Sequence, residues 1–253
     1  MSNLLEICGV TKVFGGLTAV DNVSFDVRRG SVVGLIGPNG AGKTTVFNLI
    51  TGNYRCDRGE IVFDGQLLSR LSPHEIVYLG IARTFQTIRL FQNMSVLENV
   101  LAGRHCRMKA GLLASMLHLP SERKEEREAL KFALRELEFV GLREHAAQRA
   151  SSLSYGNQRL LEIARALASE PRLLILDEPA GGMNEQETEE LMALIKKLQS
   201  RGLTIILIEH DMNLVMQACE HLVVLEYGRK IAEGPPEEIQ NNPKVIEAYL
   251  GVD

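Results

Sequence analysis

Cysteine is scarce and dispersed: Cys8, Cys56, Cys106 and Cys219 form no CxxC pair. A structural zinc site needs closely spaced thiolates or imidazoles, so these four read as reduced structural thiols, in keeping with a cytosolic compartment. Long apolar runs are absent too. Leu173–Leu176 and Leu203–Ile208 stop well short of the roughly 20 residues needed to cross a bilayer, so the chain is expected not to span a membrane. The amino terminus, MSNLLEICGVTK, has no basic stretch leading into an apolar one and carries Glu6 where such a run would lie, which speaks against a signal peptide. There is no dense basic tract, no low-complexity linker and no internal repeat. With Lys+Arg 28 against Asp+Glu 32 the net charge is -4, which disfavours a nucleic-acid partner.

What is present is the composition of an ordinary globular protein: 253 residues, 45% hydrophobic and 24% charged, with a mean hydropathy of -0.02. That length lies between one large domain and two small ones. Val23, Phe25 and Val27 alternate with Ser24 and Asp26, the pattern of a half-buried strand turning at Gly30. Val32 to Ile36 is almost wholly apolar and leads into a glycine-rich loop, after which Val46 to Ile50 has helical character up to Gly52. Glu60 to Phe63 followed by Asp64-Gly65 reads as a strand entering a tight turn. The region from Arg89 to Arg165 reads as mainly helical. In it Ser121 is placed to cap a helix whose apolar positions are Leu130, Ala133, Leu134, Leu137 and Val140, with the charge run from Glu122 to Glu128 on its solvated face. Leu173 to Leu176 and Thr204 to Ile208 then read as buried parallel strands, with the amphipathic segment Glu187 to Leu198 between them.

The chemistry begins in the glycine-rich loop. Gly37-Pro38-Asn39-Gly40-Ala41-Gly42-Lys43-Thr44 fits G-x-x-x-x-G-K-S/T at every specified position and lies between an expected strand and an expected helix. Such glycines turn backbone N–H groups onto phosphate oxygens, Lys43 reaches the terminal phosphates, Thr44 ligates Mg2+, and Thr45 joins the nucleotide contacts. A phosphate-binding loop alone leaves kinase, GTPase, helicase and transporter ATPase open. A second acidic element narrows the choice: the strand ending Leu176-Asp177-Glu178 delivers Asp177 to hold Mg2+ and Glu178 to position or deprotonate an attacking water.

Upstream of that strand, Leu153-Ser154-Tyr155-Gly156-Asn157-Gln158 opens an apolar helix. This hexapeptide resembles the signature motif of ATP-binding cassette (ABC) ATPases. The resemblance implies a γ-phosphate contact from Ser154 and Gly156, an adenine-stacking role for Phe14, a glutamine at Gln86 that reaches Mg2+ and the attacking water, and a switch histidine at His210. It covers almost the whole chain, Leu4 to Gly251. Ala82 to Gln86, Arg89 to Phe91, Leu97 to Val100, Leu161 to Leu167, Glu209 to Met212 and Ile246 to Gly251 are similar to cassettes of branched-chain amino acid importers; urea and short-chain amide importers carry very similar ones. There are two departures from the general pattern, at three positions: Tyr155 and Asn157 replace a Gly and a Gln of L-S-G-G-Q, and Asn184 stands where many cassettes have an Asp.

The expected fold is therefore α/β: a single ABC cassette over residues 1–253 with a RecA-like parallel sheet core, an N-terminal antiparallel β portion, and an inserted α-helical subdomain at 89–165 between core segments 1–88 and 166–253. The resemblance implies ATP hydrolysis with Mg2+, a head-to-tail dimer with a second cassette (identical or a paralogue), two transmembrane permease subunits, an indirect link to a periplasmic or extracellular substrate-binding protein, and a peripheral place on the cytoplasmic face of the membrane. A GTPase lacks support because no Asn-Lys-x-Asp element is present. A DNA-repair or translation ATPase fits poorly with one phosphate-binding loop and no sustained heptads, and a subunit without turnover fits poorly with Glu178.

Overall fold

The computed structural model describes residues 2–107 and 120–250. Part of the expected helical insertion, 108–119, and Gly251 at the end of the C-terminal resemblance lie outside the described residues. Strands β1 (Asn3–Phe14) and β2 (Leu17–Arg28) form an antiparallel hairpin, and β3 (Val32–Ile36) runs straight into the phosphate-binding loop and helix α1 (Lys43–Ile50). β4 (Arg58–Phe63), β5 (Gln66–Leu67), α2 (Pro73–Leu79) and β6 (Ile81–Arg83) follow. The helical region holds α3 (Val96–Arg104), α4 (Pro120–Phe139) and α5 (Tyr155–Leu167). After it come β7 (Leu173–Asp177), α6 (Glu185–Ser200), β8 (Thr204–Ile208), α7 (Met212–Ala218), β9 (His221–Glu226), β10 (Arg229–Gly234), α8 (Pro236–Gln240) and α9 (Pro243–Leu250).

Two sheets result. A four-stranded antiparallel sheet has the order β2-β1-β4-β5, and a six-stranded sheet has the order β10-β9-β3-β8-β7-β6, parallel except at its β10 edge. In the central strands successive side chains enter different cores. Val33, Leu35, Ile175, Ile206 and Val223 face the cluster shared with the antiparallel sheet and α1, while Val32, Ile36, Leu174, Leu176, Leu207 and Val224 face the cluster shared with α3 to α6. Burial on both faces is why these strands read as continuous apolar runs. Asp64 and Gly65 both have positive φ, 51° and 77°, which the expected tight turn after β4 requires. α4 begins at Pro120, so Ser121 is its second residue and not its cap; Ala133 and Leu137 are buried while Lys124, Glu126, Arg127 and Glu128 are exposed. The expected break between 165 and 166 falls inside α5. The helix is continuous across that boundary.

Candidate nucleotide-binding site

In a parallel sheet, ligands bind beyond the carboxyl ends of the strands. β3, β6, β7 and β8 share that edge, and the loops leaving them carry the phosphate-binding loop, Gln86, Asp177-Glu178 and Glu209-His210. Gly40 and Gly42 hold φ of 80° and 100°, and a Cβ at Gly42 would lie 2.6 Å from the Ala19 carbonyl oxygen, so only glycine lets the loop pass this close to β2. A cavity of about 380 Å³ opens above the loop, lined by Asn39 to Thr45 together with Leu17, Thr18, Ala19, Gln86, Glu178, His210 and Tyr227. The sequence motifs separated by up to 171 residues, Asn39 to His210, thus share one wall.

Lys43 is 7% exposed, and its ammonium donates to the carbonyl oxygens of Gly37 (2.6 Å) and Pro38 (3.0 Å). Burial lowers its pKa, and the negative charges of Glu178 and then Asp177 push it back up. Asp177 ends β7 almost fully buried, with its carboxylate 2.6 Å from the Arg83 guanidinium, which also donates to Asn48. Glu178 has a φ of 47°, and this left-handed turn directly after the strand sends its side chain away from that of Asp177. One carboxylate oxygen accepts from Gln86 Nε2 at 2.8 Å and the other lies 2.9 Å from His210 Nε2.

Three residues that motif reading left without a role hold this arrangement in place. Arg83 pairs with Asp177; it lies in the quoted stretch Ala82 to Gln86, but nothing in its spacing shows the pairing. Glu209 is buried, and its carboxylate oxygens accept from the backbone N–H groups of Ala180 (2.7 Å) and His210 (3.2 Å), tying the loop after β7 to the loop after β8. Burial raises its pKa, and those two N–H bonds oppose the rise. Arg159, buried in α5, donates to the Phe85 carbonyl at 2.6 Å and to that of Gln86, and pairs with buried Glu162 at 3.3 Å.

Some expected site residues, Gly37, Pro38 and Asp177 among them, are not in the cavity wall. Phe14 ends β1 with its ring edge-on to Tyr54 at 5.1 Å and beneath the Lys12 ammonium, and it does not line the cavity. Ser154 and Gly156 open α5 and also lie outside the wall; Ser154 caps the helix by accepting from the Asn157 N–H. Tyr155, the departure between them, accepts from Arg159 through its hydroxyl and packs its ring on Gly182. Asn184 caps α6 in a capping box with Glu187, which an Asp would do as well.

The ABC transporter family model matches residues 20–181, from within β2 to just past the Glu178 turn. The chain belongs to the ABC transporter family. A second model, described as a branched-chain amino acid ATP-binding cassette transporter, matches residues 229–253 of this cassette. The cassette is 49% identical over 249 residues, 98% of each chain, to the high-affinity branched-chain amino acid transport ATP-binding protein BraF of Pseudomonas aeruginosa. It is equally similar, over the same shares, to LivG of Escherichia coli, and 36% identical to a probable LivG of Methanocaldococcus jannaschii across 98% of this chain and 97% of that one. Among solved structures, the ADP conformation of MJ1267, an ATP-binding cassette of an ABC transporter, superposes with a TM-score of 0.87 at 35% identity and full coverage of both chains. The dimeric cassette MJ0796 reaches a TM-score of 0.77 at 27% identity, covering 92% of this chain and 98% of that one.

Proposed function

We propose that this cassette binds ATP with Mg2+ through Lys43, Thr44, Asp177 and Gln86, hydrolyses it with Glu178, Gln86 and His210, and so powers uptake of branched-chain amino acids through two separate permease subunits at the cytoplasmic face of the membrane. The observation that carries this reading is the meeting of the phosphate-binding loop, Gln86, Glu178 and His210 in one wall. Glu178, held between Gln86 and His210, is the group that orients an attacking water and accepts its proton. Lys43 faces the terminal phosphates, where its charge opposes the negative charge of the transferred group.

The candidate donors are the Thr44 hydroxyl and the Gln86 amide oxygen in the cavity wall and, outside that wall, the Asp177 carboxylate held by Arg83, an all-oxygen set that suits Mg2+. No group of three or more His, Cys, Asp or Glu side chains able to hold a metal occurs among the described residues. The cation therefore fits as a partner of the triphosphate, whose charge it would neutralise, and not as a resident of a protein cage. Ser154 and Gly156 lie outside the cavity of their own chain, which supports a head-to-tail pair in which each signature helix closes the other's site. Contacts made only to an attached γ-phosphate favour that closed pair until hydrolysis removes them. The C-terminal family match and the names of the relatives support the branched-chain substrate.

The test is ATP-driven uptake in vesicles holding this cassette, its second cassette and two permeases, supplied with the binding protein. Leucine uptake is expected; Lys43→Ala abolishes ATP turnover and Glu178→Gln lowers it at least about 100-fold while ATP still binds. Uptake of urea or a short-chain amide in place of leucine overturns the substrate, and unchanged turnover in either variant overturns the site.

A further inference from the structure

Tyr155, the bulky departure in the signature stretch, stands at the start of α5 where two loops of the site meet it. Its ring covers Gly182 in the loop after β7. Gly182 has a φ of 81°, and a Cβ on it would lie 3.0 Å from the ring carbon Cε1, so the ring needs a residue without a side chain opposite it. That loop begins on Glu178, whose carbonyl accepts from the Gly181 N–H at 3.2 Å. The Tyr155 hydroxyl accepts from Arg159 Nη2 at 3.2 Å. The same nitrogen donates to the Gln86 carbonyl, while Nη1 donates to the Phe85 carbonyl at 2.6 Å and to Glu162 at 3.3 Å. One aromatic side chain therefore touches both the loop that carries Glu178 and the guanidinium that holds the backbone of Gln86.

A guanidinium is a planar, rigid fork, so fixing some of its N–H directions fixes the others. Arg159 and Glu162 are both buried, and among the described residues Arg159 Nε has no hydrogen-bond partner. The orientation of the fork thus depends on its four terminal bonds, of which the one to Tyr155 is the only one made by a side chain at the signature stretch. From the backbone that this fork holds, the Gln86 amide reaches the Glu178 carboxylate at 2.8 Å. We propose that Tyr155 is a positioning residue for hydrolysis: its ring seats the loop after β7 and its hydroxyl sets the Arg159 fork, and together they keep the Gln86 amide on Glu178. This rests on the reading that Gln86 and Glu178 act in ATP hydrolysis. Tyr155 lies outside the cavity wall, and its contacts with Gly182 and Arg159 leave the phosphate-binding loop untouched, so it acts on the catalytic rate and not on nucleotide affinity.

The experiment measures steady-state ATP turnover by the full chain and by Tyr155→Phe, each also in a Gln86→Ala background. Phe keeps the ring on Gly182 and removes only the hydroxyl, so the melting temperature is expected to stay close to that of the parent. Loss of the bond to Arg159 is expected to lower kcat about tenfold with the KM for ATP unchanged. Tyr155→Ala, which removes the ring as well, is expected to lower kcat further. In the Gln86→Ala background, where no amide remains to be positioned, Tyr155→Phe is expected to change kcat less than about twofold. An equal fall in both backgrounds places the effect of the hydroxyl elsewhere, as in closure of the signature helix on a second cassette, and overturns the proposal. Unchanged kcat in Tyr155→Phe, a rise in KM without a fall in kcat, or a Tyr155→Ala rate equal to that of Tyr155→Phe overturns it too. A parent chain without ATP turnover, or Gln86→Ala as fast as the parent, rejects the functional reading itself.

Discussion

Lys43 shows how a single site residue is tuned by opposing effects. Burial favours its neutral amine, while Glu178 and Asp177 favour the ammonium. With the burial effect larger, the folded state holds this proton less tightly than the unfolded chain. The residue's contribution to stability therefore rises with pH between its lowered value and the ordinary 10.5. Removing one of the two negative charges lowers the pKa further. Acylation of Lys43, which requires the neutral amine, is thus expected to have a pH midpoint below the ordinary lysine value of 10.5, and Glu178→Gln to shift that midpoint lower still, both followed by peptide mass spectrometry. An upward shift in Glu178→Gln contradicts this electrostatic account. The motif named Lys43 as a phosphate ligand; its burial comes from the packing of the loop against β2 and the strand ends, which no local pattern records.

At the scale of elements, legibility depended on whether local rules and tertiary packing agreed. β3, β7 and β8 read clearly because both faces are covered, so every position is buried and all but Asp177 and Thr204 are apolar. β1 did not read as a strand. Its pairing is irregular between Ile7 and Val10, where Gly9 takes a φ of 58°, so the alternation that marks a half-buried strand is broken. The close crossing of α3 and α5 was also invisible in advance. A Cβ on Gly103 would lie 2.1 Å from the Arg165 carbonyl oxygen, so the two backbones touch where a side chain would separate them. Gly103→Ala is expected to destabilise the fold by about 1–3 kcal/mol through overpacking, read by urea unfolding. A neutral result would mean that the helices separate without cost. Because α5 also carries the Arg159 bonds to the Phe85 and Gln86 carbonyls, this variant is expected to lower ATP turnover as well.

Across the whole molecule, the six-stranded sheet divides the apolar interior into two clusters. Ile61 belongs to the one shared with the antiparallel sheet, and Leu137 to the one reaching into the helical region. Each truncation to Ala is expected to cost about 2–5 kcal/mol. The double variant is expected to equal their sum within about 0.5 kcal/mol, because the two residues belong to separate clusters. A larger departure in chemical unfolding would show that the sheet transmits strain between its faces. Among the described residues no helix is long and apolar enough to cross a membrane, which agrees with the short apolar runs of the sequence.

The sequence by itself determined the phosphate-binding loop, the acidic strand end, the signature helix and the family, because each is a short motif whose chemistry depends on fixed local spacing. Tertiary structure alone decided which of these meet. It placed Gln86, Glu178, His210 and Tyr227 in one wall, left Asp177, Ser154, Gly156 and Phe14 outside it, and tied the surrounding loops together through Arg83, Arg159 and Glu209. The physical reason is that hydrogen bonds, burial and cavity walls join residues far apart in the chain, whose pairing depends on strand order and helix crossing. Spacing within a motif carries no record of either.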